Sequence, residues 1–173
     1  MIIVLMGYMG SGKSTIGKQL SSVLDYDFID LDDYIIKKEN RTIANIFSDK
    51  GEIYFRKIES QYLKEILSQE NNVVLALGGG TPCYANNIEL IENDENVISF
   101  YLKLSIPYLS KRLFSEKDNR PLVSHLENLE ELQEFVGKHL FERVQYYSKA
   151  NYTVEAEEKS VKDIIESILL ALI

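Results

Sequence analysis

Short apolar runs and stretches of helical spacing alternate along this 173-residue chain. Met1–Met6 is apolar, rich in Ile and Val, and stops at Gly7, which predicts a buried strand. From Lys13 onward Ile16, Leu20, Val23 and Leu24 recur at the period of a helix, and Phe28–Ile29 forms a second short strand after Asp25–Asp27. Ile35, Ile43, Ile46 and Phe47 fit short helices broken near Asn40, a residue type that tolerates left-handed backbone. Phe55, Ile58, Tyr62, Ile66 and Leu67 place one apolar stripe on a helix over about Glu52–Ser68.

Val73–Leu77 is continuously apolar, hence a strand buried on both faces, and it ends in Gly78-Gly79-Gly80. A short helix near Ile88–Ile91 leads to a strand over Val97–Leu102. The next helix holds Pro107 in its first turn and runs to about Leu113. Ser115–Val123 is polar, charged and interrupted by Pro121, so it predicts an exposed loop. Asn128 with Glu131 three residues on gives a capping-box start to a helix reaching about Tyr147. Tyr152–Val154 is the last strand, and Ser160 opens a final helix with Val161, Ile164, Ile165, Ile168 and Leu169 on one stripe. Strands alternating with helices over the whole length predict an α/β sandwich around a mainly parallel sheet. With no internal repeat, low-complexity tract or linker, residues 1–173 read as one domain.

Composition narrows the function. Hydrophobic residues at 45% and charged residues at 27% are those of a globular domain. Lys and Arg number 19 against 27 Asp and Glu, a formal charge of −8, which argues against a nucleic-acid partner, since phosphate-backbone binding needs basic surface. An anionic small molecule held by a few local cations remains compatible with that balance. Cys83 is the single cysteine, so no intrachain disulfide and no cysteine-based metal cluster can form, as expected in a reducing cytoplasm. The opening apolar run is too short for a signal peptide or a membrane span, so no membrane partner is expected.

The chemistry begins at Gly7-Tyr8-Met9-Gly10-Ser11-Gly12-Lys13-Ser14, which satisfies G-x-x-x-x-G-K-[ST] with a strand before it and a helix after. The glycines let successive N–H groups turn inward toward phosphate oxygens, and the helix opening near Lys13 adds the positive end of its dipole. Lys13 is placed to reach the β- and γ-phosphates, and the Ser14 hydroxyl to ligate Mg²⁺. A dinucleotide fingerprint would require glycine where Thr15 stands. Asp30, Asp32 and Asp33 lie at the C-terminal end of the second strand, the sheet edge at which ligands bind in open α/β folds. Helix capping and catalysis both remain open for them; the i, i+2 pair beside the phosphate loop favours function for Asp30 and Asp32, while Asp33 reads as a first-turn charge. Three glycines directly after a buried strand carry an entropic cost, which close approach of a ligand explains better than an ordinary turn. Arg56 with Glu59 three residues on has the bare pattern of a surface ion pair, and Arg143 taken alone that of a helix salt bridge. Arg120, in the exposed loop, is placed to close over a phosphoryl group. His125 and His139 have no acidic partner at ligand spacing and read as surface or packing residues, Cys83 as a small buried hydrophobe, and Tyr146 and Tyr147 as helix packing.

Taken together and in order, these motifs resemble the shikimate kinases, small P-loop enzymes of the nucleoside-monophosphate-kinase type. The resemblance rests on the phosphate loop through Thr15, on Phe28-Ile29-Asp30-Leu31-Asp32, and on Ile43-Ala44-x-Ile46-Phe47 followed by Gly51-Glu52-x-x-Phe55-Arg56-x-x-Glu59. It continues through Leu77-Gly78-Gly79-Gly80, Arg120-Pro121-Leu122 and Glu142-Arg143-x-x-x-Tyr147. It implies a three-layer sandwich with a five-stranded parallel sheet in order 2-3-1-4-5, a substrate-binding region at about 31–62 and a mobile lid at about 112–124. It further implies transfer of the γ-phosphoryl group of ATP to the 3-hydroxyl of shikimate, with Mg²⁺ as cofactor, by a cytoplasmic monomer. Carried over by residue, Gly10, Ser11, Gly12, Lys13, Ser14, Thr15 and Arg120 would bind ATP, and Lys13, Asp32 and Arg120 would serve catalysis. Asp32, Arg56, Gly79, Gly80 and Arg143 would bind shikimate, and Ser14 with Asp30 would hold the metal. Phe47, Phe55, Pro121 and Leu122 would form apolar walls, and Arg112 and the Glu155–Glu157 loop would approach adenine. A gluconate-kinase-like enzyme and a non-catalytic nucleotide-dependent module are the alternatives. Asn40 stands where the family commonly has Gly, and Phe114–Asn119 lacks the glycines often found in the lid.

Overall fold

A computed structural model describes residues 1–69, 72–117 and 122–173. In chain order its elements are β1 (Ile2–Met6), α1 (Lys13–Leu24), β2 (Asp27–Asp30), α2 (Leu31–Glu39), α3 (Ile43–Leu67) and β3 (Val73–Ala76). After a 3₁₀ turn at Thr81–Cys83 follow α4 (Asn87–Glu92), β4 (Val97–Lys103), α5 (Ile106–Glu116), α6 (Leu129–Tyr147), β5 (Tyr152–Glu155) and α7 (Val161–Ala171). Because β1 and β3 lack polar side chains, both faces must be covered, and every one of their residues is buried. All pairings are parallel and the order is β2-β3-β1-β4-β5, as the resemblance implies.

Register brings the functional loops together. Leu5 pairs with Ala76, Asp30 pairs with Ala76 from the other side, and the Leu77 N–H donates to the Leu5 carbonyl at 3.0 Å. Thus the phosphate loop, the end of β2 and the glycine triplet leave the sheet side by side at its C-terminal edge. Close packing behind the edge is visible at Gly17 in α1, where a Cβ would stand 2.4 Å from the Phe28 ring on β2.

Most boundaries fall where the hydrophobic pattern places them, and two features differ. α3 is in effect the two expected helices meeting end to end: the first begins at Ile43, capped by the Thr42 side chain, and the second follows Gly51, whose φ 80°, ψ 171° is not helical. The break at Asn40 is real, since this residue ends α2 in the left-handed region with φ 52°. Ser115–Val123 is not wholly an exposed loop. α5 runs on through Ser115 to Glu116, since both are compatible with a helix, and Val123 is fully buried as the apolar side chain of a polar stretch. The capping box at α6 is shifted: Asn128 accepts from the Glu131 N–H at 2.9 Å, but the Glu131 carboxylate takes the Glu127 N–H instead. The reciprocal box forms at α7, between Ser160 and Asp163.

Candidate active site

The phosphate loop is built by backbone. Gly7, Gly10 and Gly12 have φ of 148°, 77° and 93°, the left-handed side that glycine adopts without cost, and a Cβ on Gly7 would meet the Leu102 carbonyl at 2.8 Å. Gly12 directly precedes α1, so that helix points its free N–H groups at the loop. Lys13 is buried, with Nζ donating to the carbonyls of Gly7 at 2.8 Å and Tyr8 at 3.0 Å. Gly10, Gly12, Lys13, Ser14 and Thr15 line a cavity of about 310 Å³ together with Asp30, Asp32, Gly78, Gly79 and Arg112. Ser11 is buried beneath the loop and lines a smaller hollow of about 60 Å³ with Tyr108, Arg112, Ala156 and Lys159. That hollow brings Arg112 to the neighbourhood of the expected adenine loop; Arg112 also donates to the Gly10 carbonyl at 3.0 Å.

Asp30 does two jobs. Its Oδ1 caps α2 by accepting the Asp32 N–H at 3.1 Å, and its Oδ2 accepts the Ser14 hydroxyl at 2.6 Å. One carboxylate therefore caps α2 and reaches Ser14 of the phosphate loop at the same time. Asp32 and Asp33 both occupy the first turn of α2, but Asp33 is exposed whereas Asp32 lines the cavity. Burial, then the Asp30 and Glu59 carboxylates, push the Asp32 pKa up to about 6, with the Lys13 ammonium opposing them. Ser14 and Asp30 bring hard oxygen donors together beside the phosphate loop, and Asp32 lines the same cavity. That set suits Mg²⁺, which favours one or two carboxylates plus phosphate oxygens over an all-protein cage. Among the described residues no cluster of three or more His, Cys, Asp or Glu could hold a metal unaided.

A second cavity of about 320 Å³ adjoins the first and shares Met9, Asp32, Gly78 and Gly79 with it. Arg56, Arg143, Gly80, Phe47, Phe55 and Leu122 complete its lining along with Ile43 and Glu59. Arg56 is not a surface ion pair. It is 17% exposed, and Nη1 donates at 3.0 Å to Glu59, which is 1% exposed and also accepts the Thr81 hydroxyl at 2.8 Å. Arg143 lies near Gly79 and over the Tyr8 ring, 5.9 Å from its centroid, rather than in a salt bridge with any described carboxylate. The triplet of glycines is explained by space. A Cβ at Gly78 would stand 3.0 Å from the Asp32 carboxylate, at Gly79 3.3 Å from the Met9 backbone nitrogen, and at Gly80 2.9 Å from the Arg56 guanidinium. None of the three has a positive φ, so what matters is the missing side chain and not backbone freedom. Phe47 and Phe55, with ring centroids 4.6 Å apart, supply an apolar wall.

The structure thus brings together Gly10, Gly12, Lys13, Ser14, Thr15, Asp30, Asp32, Arg56, Gly79, Gly80 and Arg143. Arg120 and Pro121 lie outside the described residues. Glu59 carries more of the site than its place in a helical ion-pair pattern suggests, because it links Arg56, Thr81 and the field at Asp32. Tyr147 is fully buried and donates to the Gly79 carbonyl, which ties the glycine loop to α6. His139 shares a 2.9 Å hydrogen bond with the Tyr8 hydroxyl, a packing role as expected, and His125 is exposed. Cys83 is half-buried rather than buried, and desolvation pushes its thiol up to about 11, which keeps it protonated.

Comparison with known proteins gives a consistent answer. The family model described as shikimate kinase matches residues 9–173. The shikimate kinase of Flavobacterium johnsoniae is 46% identical over 167 residues, covering 96% of this chain and 96% of that protein. Among solved structures, shikimate kinase from Bacteroides thetaiotaomicron superposes with a TM-score of 0.90 at 32% identity, covering 99% of this chain and 97% of that one. Shikimate kinase from Acinetobacter baumannii in complex with shikimate gives 0.84 at 34% identity, covering 99% and 92%.

Proposed function

The chain belongs to the shikimate kinase family, and from that premise we propose how its residues divide the transfer of the γ-phosphoryl group of ATP to shikimate. The enzyme is an ATP-dependent shikimate kinase by family. The acceptor atom we assign is the 3-hydroxyl, giving shikimate 3-phosphate and ADP on the route to chorismate and the aromatic amino acids. One observation carries the division of roles: a phosphate cavity and a cavity holding two arginines adjoin, with Asp32 lining both.

Phosphoryl transfer is chiefly positioning and charge stabilisation. The turned-in N–H groups from Gly10 to Thr15 hold the phosphates of ATP, and Lys13 exchanges its carbonyl contacts for β- and γ-oxygens. Ser14 and Asp30 are the residues that would hold Mg²⁺, which when bound neutralises charge on those oxygens. Arg56 and Arg143 grip the shikimate carboxylate, since a guanidinium fork fixes both position and orientation. Gly79 and Gly80 leave the room in which the acid lies, against Phe47 and Phe55. Asp32, with its pKa raised toward the working pH, accepts the hydroxyl proton as the bond to phosphorus forms. Arg120 is assigned the lid contact with the transferring group by resemblance, and residues 112–124 the lid itself. We read residues 1–173 as one domain, with residues 31–62 presenting the acceptor; a single contiguous core supports this. No helix among the described residues is long and apolar enough to cross a membrane. A lone unpaired cysteine supports a reducing cytoplasm, and a site assembled within one chain supports a monomer.

The gluconate-kinase-like alternative is not favoured. A coupled assay of ADP release with shikimate, with gluconate and with no acceptor tests the reading. Release with shikimate alone is expected. Comparable release without acceptor would overturn the kinase assignment, and turnover of gluconate alone would overturn the substrate.

A further inference from the structure

Arg56 forms a partition between two hollows. On one side is the acceptor cavity; on the other an open groove of about 860 Å³ runs along α3, with Glu52, Lys57, Lys64 and Tyr84 in its wall. The guanidinium is fastened at Nη1 by Glu59, but Nε is buried without a hydrogen-bond partner, and the Glu52 carboxylate stands 3.5 Å from it on the groove side. The guanidinium lies over the Tyr84 ring, 3.9 Å from Cζ to the centroid, closer than the Phe55 ring at 5.2 Å. Tyr84 lines the groove and is absent from the acceptor cavity's lining.

Its ring is held there by backbone that other residues enforce. Ala85 and Asn86 follow Tyr84 with φ of 51° and 58°, two successive non-glycine residues in the left-handed region, a conformation that persists only where neighbours impose it. Asn87 imposes it: fully buried, it donates from Nδ2 to the Thr81 carbonyl at 2.9 Å and from its backbone N–H to the Tyr84 carbonyl at 3.0 Å. Thr81 in turn donates to Glu59, the partner of Arg56. Arg56, Glu59, Thr81, Asn87 and Tyr84 therefore form a closed circuit that returns to the guanidinium through the Tyr84 ring.

We propose that Tyr84 is a positioning residue for recognition of the acceptor's carboxylate: lying on the groove side of Arg56, it fixes the guanidinium fork and stops Nη1 and Nη2 from swinging into the groove, where the Glu52 carboxylate already pairs with Nε. This rests on Arg56 as a carboxylate ligand. A ring lying against a cation contributes enough to set a KM effect of about 5-fold. Tyr84→Leu is expected to raise KM for shikimate by about that factor, with kcat and KM for ATP changed by less than about 2-fold. Tyr84→Phe keeps the ring and restores KM for shikimate. Tyr84→Gln matches Leu, and takes its place if Leu lowers the melting temperature. In an Arg56→Ala background, Tyr84→Leu adds nothing further. An unchanged KM in Tyr84→Leu and Tyr84→Gln, a loss in Tyr84→Phe equal to that in Leu, or the same multiplicative effect with Arg56 absent would each overturn the proposal. Arg56→Ala by itself tests the reading beneath it. If Arg56→Ala leaves KM for shikimate unchanged, the carboxylate role fails; if it raises KM while Tyr84→Leu does not, only the role of Tyr84 fails.

Discussion

Asp32 is the residue in which stability and the proposed activity pull apart. It is withdrawn from water and faces the Asp30 and Glu59 carboxylates, and these together raise its pKa from 3.8 to about 6. A raised carboxyl pKa means that the folded protein binds the proton more tightly than the unfolded chain, so this group favours folding below pH 3.8. That contribution is lost as pH rises from 3.8 through 6. Ionised Asp32 therefore opposes folding at pH 7.5, by about 1–2 kcal/mol once its partial exposure is discounted. Asp32→Asn is expected to melt roughly 2–8 °C higher than the wild type at pH 7.5, with a smaller advantage at pH 5. It should also lose about 10²–10⁴-fold in kcat. The wild-type kcat/KM should fall as pH drops below about 6, where the proton acceptor is already occupied. A variant that melts at the wild-type temperature at both pH values would remove the electrostatic account. Asp32 could be singled out in the sequence from its place beside the phosphate loop. Its protonation behaviour could not, because Glu59 approaches from α3, 27 positions away.

Among the elements, α1 shows how tightly the sheet edge is held. Gly17 lets this helix settle on β2, and a Cβ there would overlap the Phe28 ring at 2.4 Å, a contact relieved by displacing that ring or by lifting the helix off the strand carrying Asp30. Gly17→Ala gains helix propensity of up to about 1 kcal/mol but incurs overpacking of about 1–3 kcal/mol. A melting temperature lower by up to roughly 8 °C is expected, read by thermal denaturation; a higher value would show that the Phe28 ring or α1 gives way without cost. Local chemistry made most elements legible: Ser160 with Asp163 starts α7, Asn40 ends α2, and the apolar run from Val73 is a buried strand. Where prediction fell short, polarity had been read as loop or long-range packing had decided. α5 continues through Ser115 because helix-compatible residues there meet no breaker, and Leu113 within it packs against Gly10 of the phosphate loop. Val123 is buried by contacts outside its own polar segment, which hydrophobic pattern alone does not register.

At the scale of the whole molecule, a chain of net charge −8 belongs to a family that acts on two anions, ATP and shikimate. Several of its cations are engaged outside the two cavities, in exposed pairs such as Lys38–Glu65 and Lys138–Glu134. Lys13, Arg56, Arg112 and Arg143 are gathered instead around two adjoining cavities that Asp30, Asp32, Glu59 and Glu116 also line, so the cleft is formally close to neutral within an acidic chain. If that cleft binds shikimate in the folded state alone, shikimate at about 100 times its Kd should stabilise the protein by about 2.7 kcal/mol. That corresponds to a rise of roughly 5–11 °C in melting temperature. The rise should disappear in an Arg56→Ala, Arg143→Ala double variant, which differential scanning fluorimetry can read. The sequence by itself determined the alternation of strands and helices and the phosphate loop, because hydrophobic period, glycine placement and capping are local properties. The ordered motifs, read as a family resemblance, added the reaction and the sheet order. Tertiary structure alone decided why three glycines follow β3, how Asp30 can cap a helix and hold Ser14, and that Arg56 lies between Glu59 and Tyr84. Those facts depend on side chains from separate elements meeting in a small volume, and spacing along a chain carries no distance across a cleft.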